Sequence, residues 1–182
     1  MKINKVNIDG LLVIEPKVFY DNRGFFYEAF NHENYSKITK KYTFVQDNLS
    51  KSTYGTVRGL HYQVGEFAQG KLVQVIIGKV LDVAVDIRFG SPTFGKYFSV
   101  ELSEENKKQF WIPPGFAHGF SVLSNEAIFA YKCTAQYNKE SERAIIYNDS
   151  ELAINWGVEK EIVSDKDLIA NKFSQIEKDF FY

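Results

Sequence analysis

Lys71-Leu-Val-Gln-Val-Ile-Ile77, then Gly78-Lys79, then Val80-Leu-Asp-Val-Ala-Val-Asp-Ile87 is the stretch that decides the fold class. Both runs are short and rich in Val and Ile, and the two residues between them begin with glycine, the local signature of a β-hairpin. In that register Ile77 pairs with Val80, Val75 faces Asp82 and Lys71 faces Asp86. All lie on one side, because strand side chains alternate. Lys71 is therefore expected to share a face with two carboxylates.

Strands extend on both sides of this stretch. Leu11 to Phe19 runs into the turn Asp21-Asn22-Arg23-Gly24, after which Phe25-Phe26-Tyr27-Glu28 resumes, a second hairpin. Residues 31–42 combine a polar start, Tyr35 and Ile38 at helical spacing and a Lys-rich end, which predicts a short surface helix. Runs from Phe44 and Gly55 are split at Tyr54-Gly55. Further strands are expected at 96–102, 109–112, 116–122, 127–134 and 143–147, with helical character between Ser164 and Tyr182. Many short strands with closely spaced turn signals make the chain mainly β, an antiparallel sandwich or barrel with a few short helices.

The 182 residues fit one domain spanning 1–182, and 45% hydrophobic content with 16% aromatic residues suffices for a sizeable core. Charge is nearly balanced, 22 Lys and Arg against 23 Asp and Glu, which argues against a nucleic-acid or polybasic membrane surface. An anion bound here is bound locally. Cys133 is the only cysteine, so no intrachain disulfide forms and a reducing compartment is compatible. Polar residues interrupt the amino terminus before a signal-peptide core could form, and no apolar run approaches the roughly 20 residues of a membrane span. A cytoplasmic protein is expected.

Residues 56–71, Thr-Val-Arg-Gly-Leu-His-Tyr-Gln-Val-Gly-Glu-Phe-Ala-Gln-Gly-Lys, concentrate Arg58, His61 and Lys71 between apolar runs. A guanidinium for phosphate, an imidazole that titrates near neutral pH and an ammonium for an oxyanion are the parts of a proton-transfer site on a charged substrate. His118 sits in Trp-Ile-Pro-Pro-Gly-Phe-Ala-His-Gly-Phe (111–120), and Tyr131 follows. Taken alone, each has an ordinary structural reading: a satisfied strand histidine, an edge lysine paired with Asp82 or Asp86, one tyrosine among 11. Strict alternation also puts Arg58 and His61 on opposite faces, so both serve one site only if Gly59 permits a bulge or the site wraps an edge.

Laid out in order, the motifs resemble those of the dTDP-4-dehydrorhamnose 3,5-epimerases of the cupin superfamily. They are Asp-Asn-Arg-Gly-Phe-Phe-Tyr-Glu (21–28), Val-Gln-Asp-Asn (45–48), Arg-Gly-Leu-His-Tyr-Gln (58–63) and Gln-Gly-Lys-Leu-Val (69–73). Downstream come Asp-Val-Ala-Val-Asp-Ile-Arg (82–88), Ser-Pro-Thr-Phe-Gly (91–95), the 111–120 segment, Tyr-Lys-Cys-Thr (131–134) and Ser-Asp-Lys-Asp (164–167). The resemblance runs nearly end to end. Two departures are Ala135-Gln136, where Asp-Tyr is expected before Tyr137, and Phe67, where proline is usual.

The resemblance implies a cupin jelly roll that epimerises C3 and C5 of dTDP-4-dehydro-6-deoxy-D-glucose through an enolate, with no redox cofactor and no metal. By the same resemblance His61 is the base, Asp167 orients it, Lys71 steadies the oxyanion and Tyr131 is the acid on the far face. A phenol fills that role when a neighbouring cation lowers its pKa. Arg23 and Arg58 grip the pyrophosphate, for which guanidinium forks are suited. Glu28, Gln46, Asp47, Asn48, His118, Glu142 and Lys166 line the nucleotide and sugar site, and Tyr137 stacks on thymine. Phe19, Phe26 and Trp111 read as core or interface residues.

Three other readings fit parts of the sequence. A metal-dependent cupin needs several His and commonly a His-x-His pair, whereas His61 is followed by Tyr62-Gln63 and only His32 and His118 remain. A non-catalytic sugar-nucleotide-binding jelly roll would not need His61, Lys71, Tyr131 and Asp167 together. An epimerase acting at one carbon of another dTDP-4-keto-6-deoxysugar would use the same base and acid. The family implies a homodimer with an amino-terminal strand lent across the interface, no nucleic acid and no membrane partner.

Overall fold

Gly78 is a corner rather than a hairpin turn. Its φ of +80° is a left-handed conformation suited to glycine, and there the chain leaves one sheet and enters the other. The expected pairings of Ile77 with Val80, Val75 with Asp82 and Lys71 with Asp86 are therefore corrected. Ile77 pairs with Ile128, Lys79 with Ser103, and Lys71 with Ile112 and Cys133. The reason is long-range: Val83, Ala84 and Val85 are buried on both faces of their strand. Such a strand needs cover on each side, which a two-stranded ribbon cannot supply.

The computed structural model describes residues 1–39 and 42–182. The strands are β1 (Lys2–Lys5), β2 (Leu12–Glu15), β3 (Val18–Asp21), β4 (Gly24–Tyr27), β5 (Gln46–Thr53), β6 (Val57–Gln63) and β7 (Lys71–Ile77). They continue as β8 (Lys79–Asp86), β9 (Tyr97–Ser103), β10 (Gln109–Ile112), β11 (Phe116–Val122), β12 (Glu126–Cys133) and β13 (Glu142–Ala144). A six-stranded antiparallel sheet, β1-β2-β10-β7-β12-β5, faces a five-stranded one, β13-β6-β11-β8-β9, while β3 and β4 form a ribbon of their own. This is the expected antiparallel sandwich, with the 21–24 turn where it was expected. Pro16 divides the expected 11–19 strand, since it has no N–H for a ladder.

Between the sheets, Val73, Val75, Val80, Ala84, Phe110, Phe120 and Phe129 make an apolar core. On the outside of the five-stranded sheet, Val57, Leu60, Val83 and Val85 are covered by Leu152, Trp156 and Phe173 from the carboxy-terminal segment. That segment holds one helical turn, α2 (Asp165–Leu168), and a 3-10 turn at Phe173–Gln175. It is otherwise irregular, pinned where Phe89 accepts from Tyr182 N and donates to Phe180 O. Outside the six-stranded sheet, helix α1 (His32–Thr39) sets Tyr35 against Ile14, Leu72 and Trp111. The expected 31–42 helix thus begins one residue later, and its Lys40 and Lys41 lie outside the described residues. Asp86, once expected opposite Lys71, instead takes a bidentate bond from Arg88 and hydroxyl bonds from Ser91 and Thr93, closing the turn after β8.

A Cβ on Gly78 would overlap the Glu126 carbonyl oxygen and the Ser124 hydroxyl. Gly78→Ala should destabilise the chain by at least the ~1–3 kcal/mol of a left-handed non-glycine residue, read as a lower urea midpoint. An unchanged midpoint would mean the corner is not rigid.

Candidate functional site

Strand β6 breaks parity at Gly59. Opposite it on β11, His118 pairs with His61 and Phe120 with Arg58, so two residues of β11 span three of β6. The register shift is a β-bulge, and it turns Arg58 and His61 to the same inward face. Gly59 has φ +130°, and a Cβ there would sit 2.6 Å from Gly119 Cα and 2.8 Å from the His118 carbonyl. Only glycine fits. The opposition of faces expected from strict alternation is thereby removed.

The other inward residues come by ordinary alternation from both sheets. Val73 and Val75 of β7 and Phe129 of β12 belong to the core, which puts Lys71, Tyr131 and Cys133 on the inward side. The interior is thus apolar at one end and polar at the other. At the polar end lies a cavity of about 310 Å³, lined by Gln46, Asn48, His61, Gln63, Gln69, Lys71, Tyr131, Tyr137 and Glu142. His61 is offered by the five-stranded sheet, and Lys71 and Tyr131 by the six-stranded one.

His61 Nε2 lies 2.6 Å from Asp167 Oδ1, a contact that fixes the ring and leaves Nδ1 as the free nitrogen when Nε2 carries the proton. Asp167 sits in α2, whose cap Ser164 accepts from its amide, and its second oxygen takes the Gly59 N–H at 3.4 Å. Burial pushes the Asp167 carboxyl up, but the His61 bond and charge, the Gly59 amide and Ser164 outweigh it and hold the pKa below 3.8. The Lys71 ammonium lies 3.5 Å from the His61 carbonyl oxygen. Burial lowers its pKa, against the pull of Cys133 and Asp82.

His118 lies beneath the site, with Nε2 3.0 Å from both oxygens of the buried Asp82. Burial lowers the histidine and raises the aspartate, each resisted by the other. Tyr131 corrects the expectation of a lowered phenol: burial raises its pKa above 10.0 and outweighs the opposing charge of Arg58. It therefore holds its proton at neutral pH. Arg58 bonds Ser52 Oγ at 3.0 Å. At the mouth, Tyr137 donates its hydroxyl to Glu142, which also pairs with Lys166 at 2.6 Å.

Of the expected residues, Asp167 and Lys166 stand behind the cavity wall on His61 and Glu142, Arg58 and His118 face the interior without lining the cavity, and three others lie away from it. Asp47 alternates with Gln46 and Asn48, so it points outward and pairs with Lys132 at 2.9 Å. Arg23 is exposed on the β3–β4 ribbon and bonds Asp21, while Glu28 bonds Asn31 and Asn34. The sequence reading missed Asp82 as the partner of His118, and Gln63 and Gln69 in the cavity wall. All three lay within quoted motifs, but Asp82 was read only as a possible partner of Lys71, not of His118. Among the described residues no group of three or more His, Cys, Asp or Glu side chains is placed to hold a metal ion, and no helix is long and apolar enough to cross a membrane.

Against known proteins, the family described as dTDP-4-dehydrorhamnose 3,5-epimerase matches residues 5–175. The chain belongs to this family. A dTDP-4-dehydrorhamnose 3,5-epimerase from Shigella flexneri is 53% identical over 182 residues, covering 100% of this chain and 99% of the relative. The crystal structure of a dTDP-6-deoxy-D-glucose-3,5-epimerase from Legionella pneumophila, in complex with dTDP-4-keto-L-rhamnose, superposes with a TM-score of 0.95 at 52% identity, covering 100% and 98% of the two chains. A 3'-monoepimerase from Streptomyces bikiniensis in complex with dTDP-quinovose gives 0.87 at 30% identity, covering 93% and 86%.

Because the folded Asp167 pKa is depressed, its contribution to stability is present above 3.8 and is lost as pH falls through the lower folded value. Asp167→Asn should be less stable than wild type near neutrality, with the gap narrowing on acidification. Urea midpoints across pH measure this, and a gap independent of pH would show that the carboxylate is not the stabilising form.

Proposed function

We propose that this chain inverts C3 and C5 of dTDP-4-dehydro-6-deoxy-D-glucose, giving dTDP-4-dehydro-L-rhamnose. The observation that carries the reading is the carboxylate-held imidazole of His61 on one sheet and the protonated phenol of Tyr131 on the other, lining one cavity together with the Lys71 ammonium. The 4-keto group acidifies the hydrogens on C3 and C5, and His61 removes one of them. The electron pair moves to the keto oxygen, where Lys71 stabilises the enolate more strongly than water would, being fixed and partly dry. Tyr131 returns a proton to the other face of the ring, and that carbon is inverted. Burial, by raising the tyrosine pKa, keeps the phenol in its protonated, donor form until the enolate calls for the proton.

In this reading Arg58 meets the pyrophosphate, Tyr137 stacks on the base, and Gln46, Asn48, Glu142 and Lys166 line the path between. His118 supports the floor of the sugar site through its bond to Asp82. We further propose a homodimer in which the β3–β4 ribbon is lent to the partner. Phe19, Tyr20, Phe25 and Phe26 are 52%, 70%, 54% and 69% exposed, a patch that a second copy would cover, and Arg23 at its tip would then reach the partner's phosphate site. A monomer mass by light scattering would remove this. A cytoplasmic place goes with a nucleotide-sugar substrate and with a lone buried thiol.

Incubation with dTDP-4-dehydro-6-deoxy-D-glucose in deuterium oxide, followed by NMR, should show exchange and inversion at both carbons. His61→Ala should lower the rate by at least the ~10²–10⁴-fold of a lost general base. Change at one carbon alone would make this a single-centre epimerase, and no exchange by the folded protein would overturn the substrate.

A further inference from the structure

We infer that Gln63 is a positioning residue for the nucleotide end of the site, acting through the loop that carries Tyr137. The inference rests on the proposed stacking of the base on Tyr137. Gln63 is the last residue of β6, two positions beyond His61 and on the same inward face, and is only 4% exposed. The loop from Cys133 to Glu142 passes from the six-stranded sheet to the five-stranded one across the cavity mouth.

That loop has no regular structure, so its polar backbone groups need partners from elsewhere. Consecutive amides find them on opposite sheets. Tyr137 N donates to Gln46 Oε1 of β5 at 2.8 Å, and Asn138 N donates to Gln63 Oε1 of β6 at 2.8 Å. Gln63 Nε2 donates back to the Gln136 carbonyl at 3.1 Å and to the Phe67 carbonyl at 2.7 Å. One buried amide thus spends its acceptor and both donor directions on two loops at the mouth. Gln69 adds a bond from its own Nε2 to the Ala135 carbonyl at 2.9 Å.

Two consequences follow from this wiring. The strand that presents His61 holds the loop on both sides of Tyr137, at 136 and 138, and so ties the spacing of base and nucleotide wall to β6, with Gln46 of β5 fixing the Tyr137 amide itself. The bonds at 67, 135 and 136 are made to backbone carbonyls, so the departures from the family pattern at Phe67 and Ala135-Gln136 leave the wall's hydrogen bonds in place. Gln63 is not a catalytic residue, because its polar atoms are turned to the loops and not to a reacting carbon.

The test uses the full chain and dTDP as probe. Gln63→Met keeps the side-chain length and removes the polar atoms; Gln63→Glu keeps the acceptor for Asn138 N and loses both donors, and serves if the first variant does not fold. Calorimetric Kd for dTDP is measured in wild type, the Gln63 variant, Tyr137→Ala and the double variant, together with kcat, KM and amide hydrogen exchange over residues 134–141. The expected results are a roughly tenfold weaker Kd and raised KM in the Gln63 variant, kcat within about twofold, faster exchange in the loop, and little further loss when Tyr137 is already Ala. An equal loss in both Tyr137 backgrounds, or unchanged exchange, would overturn the inference. If wild type binds no dTDP, the nucleotide-sugar reading fails separately, and the role of Gln63 in holding the loop stands or falls on the exchange result.

Discussion

Strand parity on β6 is the constraint on which the site depends. A regular strand would put Arg58 and His61 on opposite faces, one in the cavity and one against Trp156 and the carboxy-terminal cover. The bulge at Gly59 adds the odd residue that brings both inward, and it succeeds because Gly59 and Gly119 allow the two backbones to approach closely. The same local geometry presents the Gly59 amide to Asp167, so the backbone that reorients the histidine also helps anchor its carboxylate. Position and protonation are set together.

The second feature is where the sandwich stores its charge. Lys71 and His61 stand at the polar end of the interior, while Asp82 and His118 are set within the apolar cluster, Asp82 between Val80 and Ala84 on β8 and His118 between Phe116 and Phe120 on β11. Burial acts against charge on Lys71, Asp82 and His118 alike, and mutual attraction only partly offsets it. For stability alone, an apolar filling would serve. In the proposed enolate chemistry, a partly dry ammonium lining the same cavity as a carboxylate-held imidazole would raise the field at the reacting atoms. The packed apolar cluster fixes the frame on which those groups stand, with Phe129 stacked against both Phe120 and His118.

Much of the fold was legible in the sequence, because alternation and turn residues are local signals. Strands at 109–112 and 116–122 and the ribbon around 21–24 follow from them directly. The Gly78-Lys79 hairpin did not, because the choice between a turn and a corner was made by Ile128 and Ser103, far away in the chain. Helical character after Ser164 was overread for a related reason. Its apolar residues cover a sheet, and one turn of helix with extended chain does that as well. In the site, His61, Lys71, Tyr131 and Asp167 carried motifs that named them, and the structure brings the first three to one cavity with Asp167 behind His61. Asp47 shows the limit of a motif: adjacent residues in Val-Gln-Asp-Asn point to opposite faces. Asp82 shows a related limit: its motif marks the residue but not its partner, which appears only when its strand is placed beside that of His118.

The central claim is that the two sheets supply base and acid separately. Tyr131→Phe tests it most directly, assayed in deuterium oxide with the configuration at C3 read by NMR. The account predicts that solvent deuterium still enters with retained configuration, since His61 can return a solvent-exchanged proton to the face it took it from, while inverted product is largely lost. Loss of deuterium exchange together with inversion, in a folded Tyr131→Phe protein, would show that the phenol takes part in proton removal and would contradict the assignment of the two roles to opposite sheets.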